Sequence, residues 1–243
     1  MCHKTMHDYS KLISYLSEYG VSVSDDQIKK LDTYYEMMVE TNKSLNLTAI
    51  TEFDDVLIKH YIDSVTIVRD IDLTGSKTVI DVGTGAGFPG MVLKILFPNL
   101  SITLFDSLQK RLKFLDDVIS ALDLKGISTY HGRAEEAGHV SSMREQYDIC
   151  VSRAVANLPV LCELCLPFVK KGGIFVSYKS DKGSSEVEAA THALSVLNSS
   201  IIKEDEFTLP DSDMVRNLIL ISKDGLCPKS YPRKPGTPSK KPL

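Results

Sequence analysis

The apolar residues of the first 70 positions recur at the spacing of amphipathic helices. Residues 8–19 carry such a stripe and predict a first helix. A second helix is predicted to begin at Ser24, because Ser24 and Gln27 have the spacing of a capping box, and a third is predicted to begin in the same way at Thr51. No strand is predicted before these helices. Residues 1–70 are therefore expected to form a helical appendage.

From Lys77 onward, short runs rich in β-branched and aromatic residues alternate with helical stretches. Near-continuous apolar runs of this kind predict a parallel sheet that is covered on both faces. The predicted parallel strands are residues 78–82, 101–105, 126–130, 147–151 and 173–178. Two further runs, residues 201–209 and 214–222, are joined by a short polar turn and predict an antiparallel pair. Residues 71–226 are thus predicted to be an α/β domain, a doubly wound, mostly parallel seven-stranded sheet with a C-terminal antiparallel hairpin.

The composition adds few constraints. The chain has 243 residues, 43% of them hydrophobic, with 28 basic and 32 acidic side chains. This fits one α/β domain with an appendage. No stretch approaches the roughly 18 apolar residues of a membrane-spanning helix, and the amino end lacks the apolar segment of a signal peptide. We therefore expect a cytoplasmic protein that has no membrane partner.

The five cysteines are scattered and odd in number, which favours reduced thiols over a disulfide framework. Cys162 and Cys165 form a CxxC motif within an apolar segment. A zinc site needs four ligands and this segment offers two, so the motif predicts a buried helix face. No metal site is expected.

Positive charge is concentrated in residues 227–243. This tail contains five basic residues, no acidic residue and five of the ten prolines. Because proline removes hydrogen-bond donors and fixes φ, the tail is expected to form neither a helix nor a central strand. It is then either a disordered solubilising end or an extended arm that binds the phosphates of a nucleic acid. The candidate RNA contacts are Lys229, Arg233, Lys234, Lys240 and Lys241.

A glycine-rich loop, residues 79–90, follows the first predicted strand and leads into a helical pattern. Gly83, Gly85 and Gly87 allow a sharp turn and let a ligand approach the bare backbone near the start of the next helix. The loop also satisfies G-x-G-x-x-G through Gly85, Gly87 and Gly90. The glycines alone therefore leave a dinucleotide site open.

Two carboxylates narrow the choice of cofactor. Asp106, at the end of the second predicted strand, is placed to accept hydrogen bonds from the ribose of an adenosine, although it could instead cap the helix that follows. Asp81 lies two residues before Gly83, where it would repel a pyrophosphate but could face a cationic sulfonium or amino group. The closing hairpin and the lack of a second substrate domain also favour an S-adenosylmethionine-dependent methyltransferase over a dehydrogenase.

The chain resembles RsmG, also called GidB, the bacterial 16S rRNA guanine-N7 methyltransferase family. The likeness covers nearly the whole chain, and its segments are NLTAI (46–50), DVGTGAGFPG (81–90), DSLQKRLKFL (106–115), GRAEE (132–136), SRAVANL (152–158), LCLPFVKKGG (164–173) and YPRKPGTPSKKPL (231–243), with His60, Asp63 and Ser64 between the first two. The resemblance implies a class I methyltransferase fold. It also implies methyl transfer to N7 of a guanine in the decoding-region loop of 16S rRNA, naked or within the small ribosomal subunit.

The candidate site residues come from the loop and from the family's motifs. Those expected to bind the cofactor are Asp81, Gly83, Gly85, Gly87, Phe88, Asp106, Ser107, Ala134, Glu135 and Arg153. Arg153 is also a candidate catalytic residue, because it can meet the carboxylate of the cofactor or a phosphate of the substrate, unless it forms only a surface ion pair. Asn46 is the second catalytic candidate, as a partner of the target base or of the methionine end of the cofactor. Its alternative role is a helix C-cap.

The reaction is suggested partly by motifs that the sequence does not contain. After the fourth predicted strand there is neither the [DN]-P-P-[FYW] motif of exocyclic-amine methyltransferases nor a Pro-Cys nucleophile. Guanine N7 has a free lone pair and no proton to lose, so its methylation needs alignment more than a general base. A small-molecule or other RNA methyltransferase, and a non-catalytic rRNA-binding module of the same fold, remain as alternatives.

Overall fold

The computed structural model describes residues 6–153, 155–180 and 183–243. Within them, the strands are β1 (Thr78–Val82), β2 (Ser101–Asp106), β3 (Ile127–His131), β4 (Tyr147–Arg153), β5 (Val169–Lys179), β6 (Ser199–Thr208) and β7 (Val215–Lys223). They form one sheet in the order β3-β2-β1-β4-β5-β7-β6. The first five strands run parallel, and β7 pairs antiparallel with both β5 and β6. The predicted sheet and its closing hairpin are confirmed.

Helices precede the sheet and connect its strands. They are α1 (Ser10–Glu18), α2 (Asp25–Leu45), α3 (Phe53–Val56), α4 (Asp63–Val65), α5 (Gly90–Leu96), α6 (Gln109–Ala121), α7 (Ala134–Ala137), α8 (Leu158–Cys165), α9 (Gly183–Ala189), α10 (Thr191–Val196) and α11 (Thr237–Lys240). A π-helical turn, Leu57–Ile62, joins α3 to α4. Such turns are rare and often occur at functional sites.

The sheet separates two hydrophobic clusters because successive side chains of a strand point to opposite faces. In β1, Val79 belongs to the first cluster and Ile80 to the second. Helices α1, α2, α5 and α6 contribute to the first cluster, whereas α8 and α10 contribute to the second. The helical appendage thus shares a core with the sheet. Cys162 and Cys165 are fully buried on α8, within the second cluster.

Capping residues were predicted for two helices of the appendage, and the structure confirms the first and not the second. At Ser24, both hydrogen bonds of the capping box with Gln27 are present, as expected. The cap predicted at Thr51 is wrong: Glu52 is the N-cap of α3, and its side chain makes no capping bond. The carbonyl of Thr51 instead accepts a hydrogen bond from the Tyr35 hydroxyl, 2.9 Å away. This tertiary contact fixes the start of the segment.

The prediction that residues 227–243 form no helix is wrong. They pack on the second cluster through Tyr231 and Leu243 and contain the short helix α11. Helix α11 has a proline in its first turn, where no backbone donor is needed, so proline is compatible with it. Among the described residues, no helix is both long and apolar enough to cross a membrane.

Candidate active site

The glycine loop lies between β1 and α5 and requires glycine at two positions. Gly83 and Gly87 have φ of 76° and 108°, in the region that L side chains rarely adopt. A Cβ on Gly87 would also lie 2.6 Å from the hydroxyl oxygen of Tyr34 and 2.8 Å from Leu115. A Cβ on Gly83 would overlap with the side chain of Val155. The loop can therefore form only with bare backbone facing these neighbours.

Two residues of the helical appendage contact the glycine loop directly. Tyr34 of α2 is fully buried and donates a hydrogen bond to the Ala86 carbonyl, 2.5 Å away. His60, in the π-helical turn, stacks on Phe88 with ring centroids 4.4 Å apart. Phe88 is thereby fixed by a residue that precedes it by 28 positions, and the loop is shaped by helices from outside the α/β domain.

Asp81, at the start of the loop, joins two of its residues through hydrogen bonds. Its side chain is fully buried, and Oδ2 accepts hydrogen bonds from the Thr84 hydroxyl (2.7 Å) and the Gly90 amide (2.8 Å). The other oxygen, Oδ1, has no partner among the described residues. Burial raises the pKa of this carboxyl to about 6. One carboxylate oxygen of Asp81, Oδ1, therefore remains able to accept a hydrogen bond next to the loop.

Asp106 ends β2 and is held by two backbone amides. The Gly85 amide donates to Oδ2 and the Leu108 amide donates to Oδ1, each at 2.9 Å. The second bond lies in the turn before α6, and the N-cap of α6 is Leu108 with no side-chain capping bond, so the helix-capping alternative for Asp106 is wrong. Nη1 of Arg111 also lies 3.6 Å from Oδ2 as an ion-pair partner. A carboxylate has about four lone-pair positions, so positions beyond those used by the two amides remain for a ligand. Structural support and ligand binding are compatible in this residue.

A cavity of about 560 Å³ opens beside the loop at the carboxyl ends of β1, β2 and β4. Of the predicted cofactor-binding residues, those that line it are Gly83, Gly85, Phe88, Asp106, Ser107, Ala134, Glu135 and Arg153. Asp81 and Gly87 lie outside the lining and support the loop. Sequence reasoning missed several lining residues, including Leu47, Thr84, Arg111, Arg133, Val155 and Ser239. We call this space the first cavity.

A second cavity of about 590 Å³ adjoins the first. Three residues, His60, Arg153 and Val155, line both cavities and form their common wall. The charged residues that line the second cavity are Lys59, Asp63, Arg153, Lys179, Glu186 and Arg216. Cations outnumber anions in this set by four to two. Each of these cations has an acidic partner, because Arg153 and Arg216 share Asp63, Lys179 pairs with Glu186, and Lys59 pairs with Asp55 outside the lining. The excess of positive charge is therefore small and lies with the two arginines that share one carboxylate.

Arg153, at the end of β4, is the most connected residue of the common wall. Its Nη1 lies 2.8 Å from Oδ2 of Asp63 and donates to the Lys59 carbonyl at 3.2 Å. Its Nη2 lies 3.2 Å from Nδ1 of His60, and its guanidinium lies 5.2 Å from the ring centroid of Phe88. Asp63 accepts a second hydrogen bond from Nε of Arg216 (2.9 Å). Arg153 forms an ion pair, but a buried one that positions the wall between two cavities.

His60 is a neutral side chain. Burial lowers its pKa to about 3, and the neighbouring Arg153 cation adds to the shift. Nδ1 lies 3.2 Å from Nη2 of Arg153 and 3.1 Å from the Lys59 carbonyl, and Nε2 lies 2.9 Å from the Thr48 hydroxyl, so both ring nitrogens have polar neighbours. His60 therefore acts here as a flat, uncharged surface rather than as an acid.

The family model of GidB, described as rRNA small subunit methyltransferase G, matches residues 27–209. The chain belongs to this family. It is 48% identical over 238 residues to the ribosomal RNA small subunit methyltransferase G of Lachnoclostridium phytofermentans, covering 98% of both chains. It is 51% identical over 235 residues to that of Acetivibrio thermocellus, covering 96% of this chain and 95% of the relative.

The solved structures that are similar to this GidB-family chain support its fold. An S-adenosylmethionine-dependent O-methyltransferase from Thermotoga maritima matches with a TM-score of 0.50 and 16% identity, covering 78% of this chain and 71% of that one. At this identity the likeness shows the fold alone. The class I methyltransferase fold expected from the sequence is thus confirmed.

Asn46, the second catalytic candidate, caps the C-terminus of α2. It has φ of 49° and ψ of 57°, its amide donates to the Asn42 carbonyl, and its side chain is exposed. The neighbouring Leu47 and Thr48 line the first cavity, and Asn46 does not. The structure thus shows the capping role of Asn46, and a contact with a target base stays a prediction.

The five basic residues of the tail have different environments. Arg233 is bound to the fully buried carboxylate of Glu163, with Nη2 2.6 Å from Oε2, so its charge is already compensated. The other four, Lys229, Lys234, Lys240 and Lys241, are exposed. Binding of RNA by all five stays a prediction, and these four have the free surface that it requires.

Proposed function

We propose that this chain transfers the methyl group of S-adenosylmethionine to N7 of a specific guanine in 16S rRNA. The observation that carries the proposal is the pair of adjoining cavities with Arg153 in their common wall. One cavity is built from the motif residues of a class I methyltransferase, and the other has an excess of positive lining charge. Membership of the rRNA small subunit methyltransferase G family supports the same reaction.

The first cavity fits S-adenosylmethionine. Asp106 has free lone pairs for the ribose hydroxyls, and the backbone from Gly83 to Ala86 can approach the cofactor closely because its glycines carry no side chain. Ala134 and Glu135 lie on the wall where the adenine edge would bind. When bound, S-adenosylmethionine supplies an electrophilic methyl group. Oδ1 of Asp81, which has no hydrogen-bond partner among the described residues, adds negative charge next to the loop when the carboxyl is ionised. This charge favours a cationic ligand.

The second cavity fits the target nucleotide. Its volume of about 590 Å³ is typical of small-ligand sites, and its net positive lining suits a base that carries a phosphate. Because His60 and Arg153 line both cavities, a base in the second one can present a ring nitrogen to the first. N7 has no proton to remove, so the task of the wall is alignment. The neutral His60 ring is consistent with a site that lacks a general base.

The substrate should be rRNA, either naked or within the small ribosomal subunit, and the protein should act in the cytoplasm where that RNA is found. Both statements extend what the family's description says about its members. Incubation with labelled S-adenosylmethionine and each form of the RNA in parallel would show which one accepts the methyl group. Label in neither form would overturn the proposal.

The modified atom can be identified chemically. N7 methylation makes the guanine ring cationic and labile, so RNA treated with the enzyme should break at one guanine after borohydride and aniline. RNA incubated without S-adenosylmethionine is the control and should stay intact there. Methylation found on an exocyclic amine or a ribose would contradict the N7 assignment and leave the cofactor assignment unchanged.

The pKa of Asp81 predicts a pH-dependent preference between cofactor and product. This carboxyl has a pKa of about 6, so it is charged at pH 7.5 and mostly protonated at pH 5. S-adenosylmethionine carries a sulfonium charge that S-adenosylhomocysteine lacks, and only the charged carboxylate attracts it. The ratio of the two dissociation constants, measured by calorimetry from pH 5 to 8, should therefore shift toward S-adenosylmethionine as the pH rises through about 6 and level off at higher pH. A ratio that is constant over this range would show that Asp81 does not sense the sulfonium.

A further inference from the structure

We infer that residues 233–241 form the outer wall of the first cavity and that Arg233 is the positioning residue that holds this wall in place. We call these residues the tail segment. The inference depends on the proposed function only for the identity of the ligand. It assigns to the tail a part in cofactor binding, whereas its composition suggests a role in RNA binding alone.

The chain that leads into the tail segment is fixed by two residues that follow α7. The Arg144 guanidinium donates to the carbonyls of Gly138 (2.7 Å), Tyr231 (2.8 Å) and Cys227 (2.7 Å). Nε2 of His139 lies 2.7 Å from the Pro232 carbonyl. The Arg144 guanidinium thus joins the loop after α7 to residues 227 and 231. Together with His139 it fixes the position from which the tail segment begins.

Arg233 then anchors the tail segment itself. Glu163 lies on α8 with none of its surface exposed, and a buried carboxylate is stable only when it is paired and hydrogen-bonded. The Arg233 amide (2.7 Å) and Nε (2.9 Å) both donate to Oε1 of Glu163, and Nη2 (2.6 Å) donates to Oε2. Nη2 also donates to the Lys241 carbonyl (2.8 Å), which joins the two ends of the segment. Arg233 therefore ties both ends of the tail segment to α8.

The anchored segment contacts the lining of the first cavity. The Gly236 amide donates to Oε1 of Glu135 at 2.9 Å, and Glu135 lines the cavity beside Ala134. Three residues further on, Ser239 of α11 lines the cavity directly. The tail segment thus orients one cavity residue and supplies another. A ligand in the first cavity should be bound more weakly when the segment is absent or displaced.

The test compares cofactor affinity, measured by calorimetry without RNA, among variants of the full chain. A chain shortened to end at residue 234 retains the ion pair of Arg233 with Glu163 but loses Gly236, Ser239 and the packing of Leu243 on the second cluster, so it should melt somewhat below the wild type and remain folded. Its dissociation constant for S-adenosylmethionine should rise about tenfold, as expected for the loss of hydrogen bonds to a charged group. Arg233→Ala should show a similar rise, and Arg233→Lys a smaller one, because lysine can pair with Glu163 but cannot make the same set of bonds.

Ser230→Ala, an exposed position just before the tail segment, is the matched control and should bind the cofactor like the wild type. In methyl-transfer assays at saturating RNA, Arg233→Ala, which retains Lys240, Lys241 and Ser239, should raise KM for S-adenosylmethionine by a larger factor than it lowers kcat. A cofactor dissociation constant that remains unchanged in the shortened chain and in Arg233→Ala would overturn the inference. Failure of the wild-type protein to bind S-adenosylmethionine would instead overturn the proposed function.

Discussion

Arg153→Ala should lower the rate of methyl transfer to rRNA by about a hundredfold or more, measured in single-turnover assays with labelled S-adenosylmethionine. The substitution removes the cation from the common wall of both cavities and leaves the buried Asp63 with Arg216 as its remaining ion-pair partner among the described residues. It also removes the contact with Nδ1 of His60. Misplacing reacting groups by about 1 Å can cost this much in rate.

Two further variants show how Arg153 acts. Arg153→Lys retains the charge but cannot contact Asp63, the Lys59 carbonyl and His60 together, so it should recover only part of the rate. Arg216→Ala is the matched control, because it disturbs the same carboxylate from outside the first cavity and should leave cofactor affinity unchanged. A weaker cofactor affinity in Arg153→Ala would indicate contact with the cofactor, and an unchanged one would indicate contact with the RNA. A rate within about threefold of the wild type would reduce Arg153 to a structural ion pair.

Asp106→Ala should weaken S-adenosylmethionine binding by roughly 1.5 to 3 kcal/mol, the range for hydrogen bonds to a charged group, or about 10-fold to 150-fold in dissociation constant. The variant removes the proposed ribose acceptor and also the acceptor of the Gly85 amide, so both ligand and loop lose a partner. Calorimetry gives the dissociation constant, and a thermal melt reports whether the fold survives.

The two roles of Asp106 can be separated. Asp106→Asn retains one side-chain oxygen for a backbone amide and loses the charge, so it should lie between the wild type and Asp106→Ala. Asp117→Ala removes an exposed carboxylate from the same region, on α6, and should have no effect on cofactor affinity. An unchanged dissociation constant in Asp106→Ala would leave Asp106 with a structural role only, as the acceptor of the Gly85 and Leu108 amides.

The parts of the site that the sequence could predict are those formed by local chemistry. The glycines after β1 and Asp106 at the end of β2 follow from the alternation of strands and helices, because the carboxyl ends of parallel strands meet at one edge of the sheet. The contacts of Arg153 with Asp63 and of His60 with Phe88 join residues 90 and 28 positions apart in sequence. No spacing rule for helices or strands relates such positions, and only the packing of the appendage on the sheet brings them together.

For the tail, residues 227–243, the composition led to the wrong prediction that no helix forms there. Five prolines and five cations with no acidic residue are typical of an unstructured segment. The partners that order it, Arg144, Glu135 and Glu163, all lie in other parts of the chain. Glu163 is the one signal that was available: it is a carboxylate between the two cysteines of an apolar helix, and a buried acid implies a cation elsewhere. Its partner could not be chosen from the sequence.

The hydrogen bond from Tyr34 to the Ala86 carbonyl sets a limit on how small a working fragment of this protein can be. A fragment that begins at residue 71 would retain the whole sheet but would lose the hydroxyl behind the glycine loop and the His60 ring stacked on Phe88. It would also uncover the apolar face that α2 covers. Any minimal version of the enzyme must therefore include α2, and dividing the chain at the boundary between appendage and sheet would separate the cofactor loop from its support.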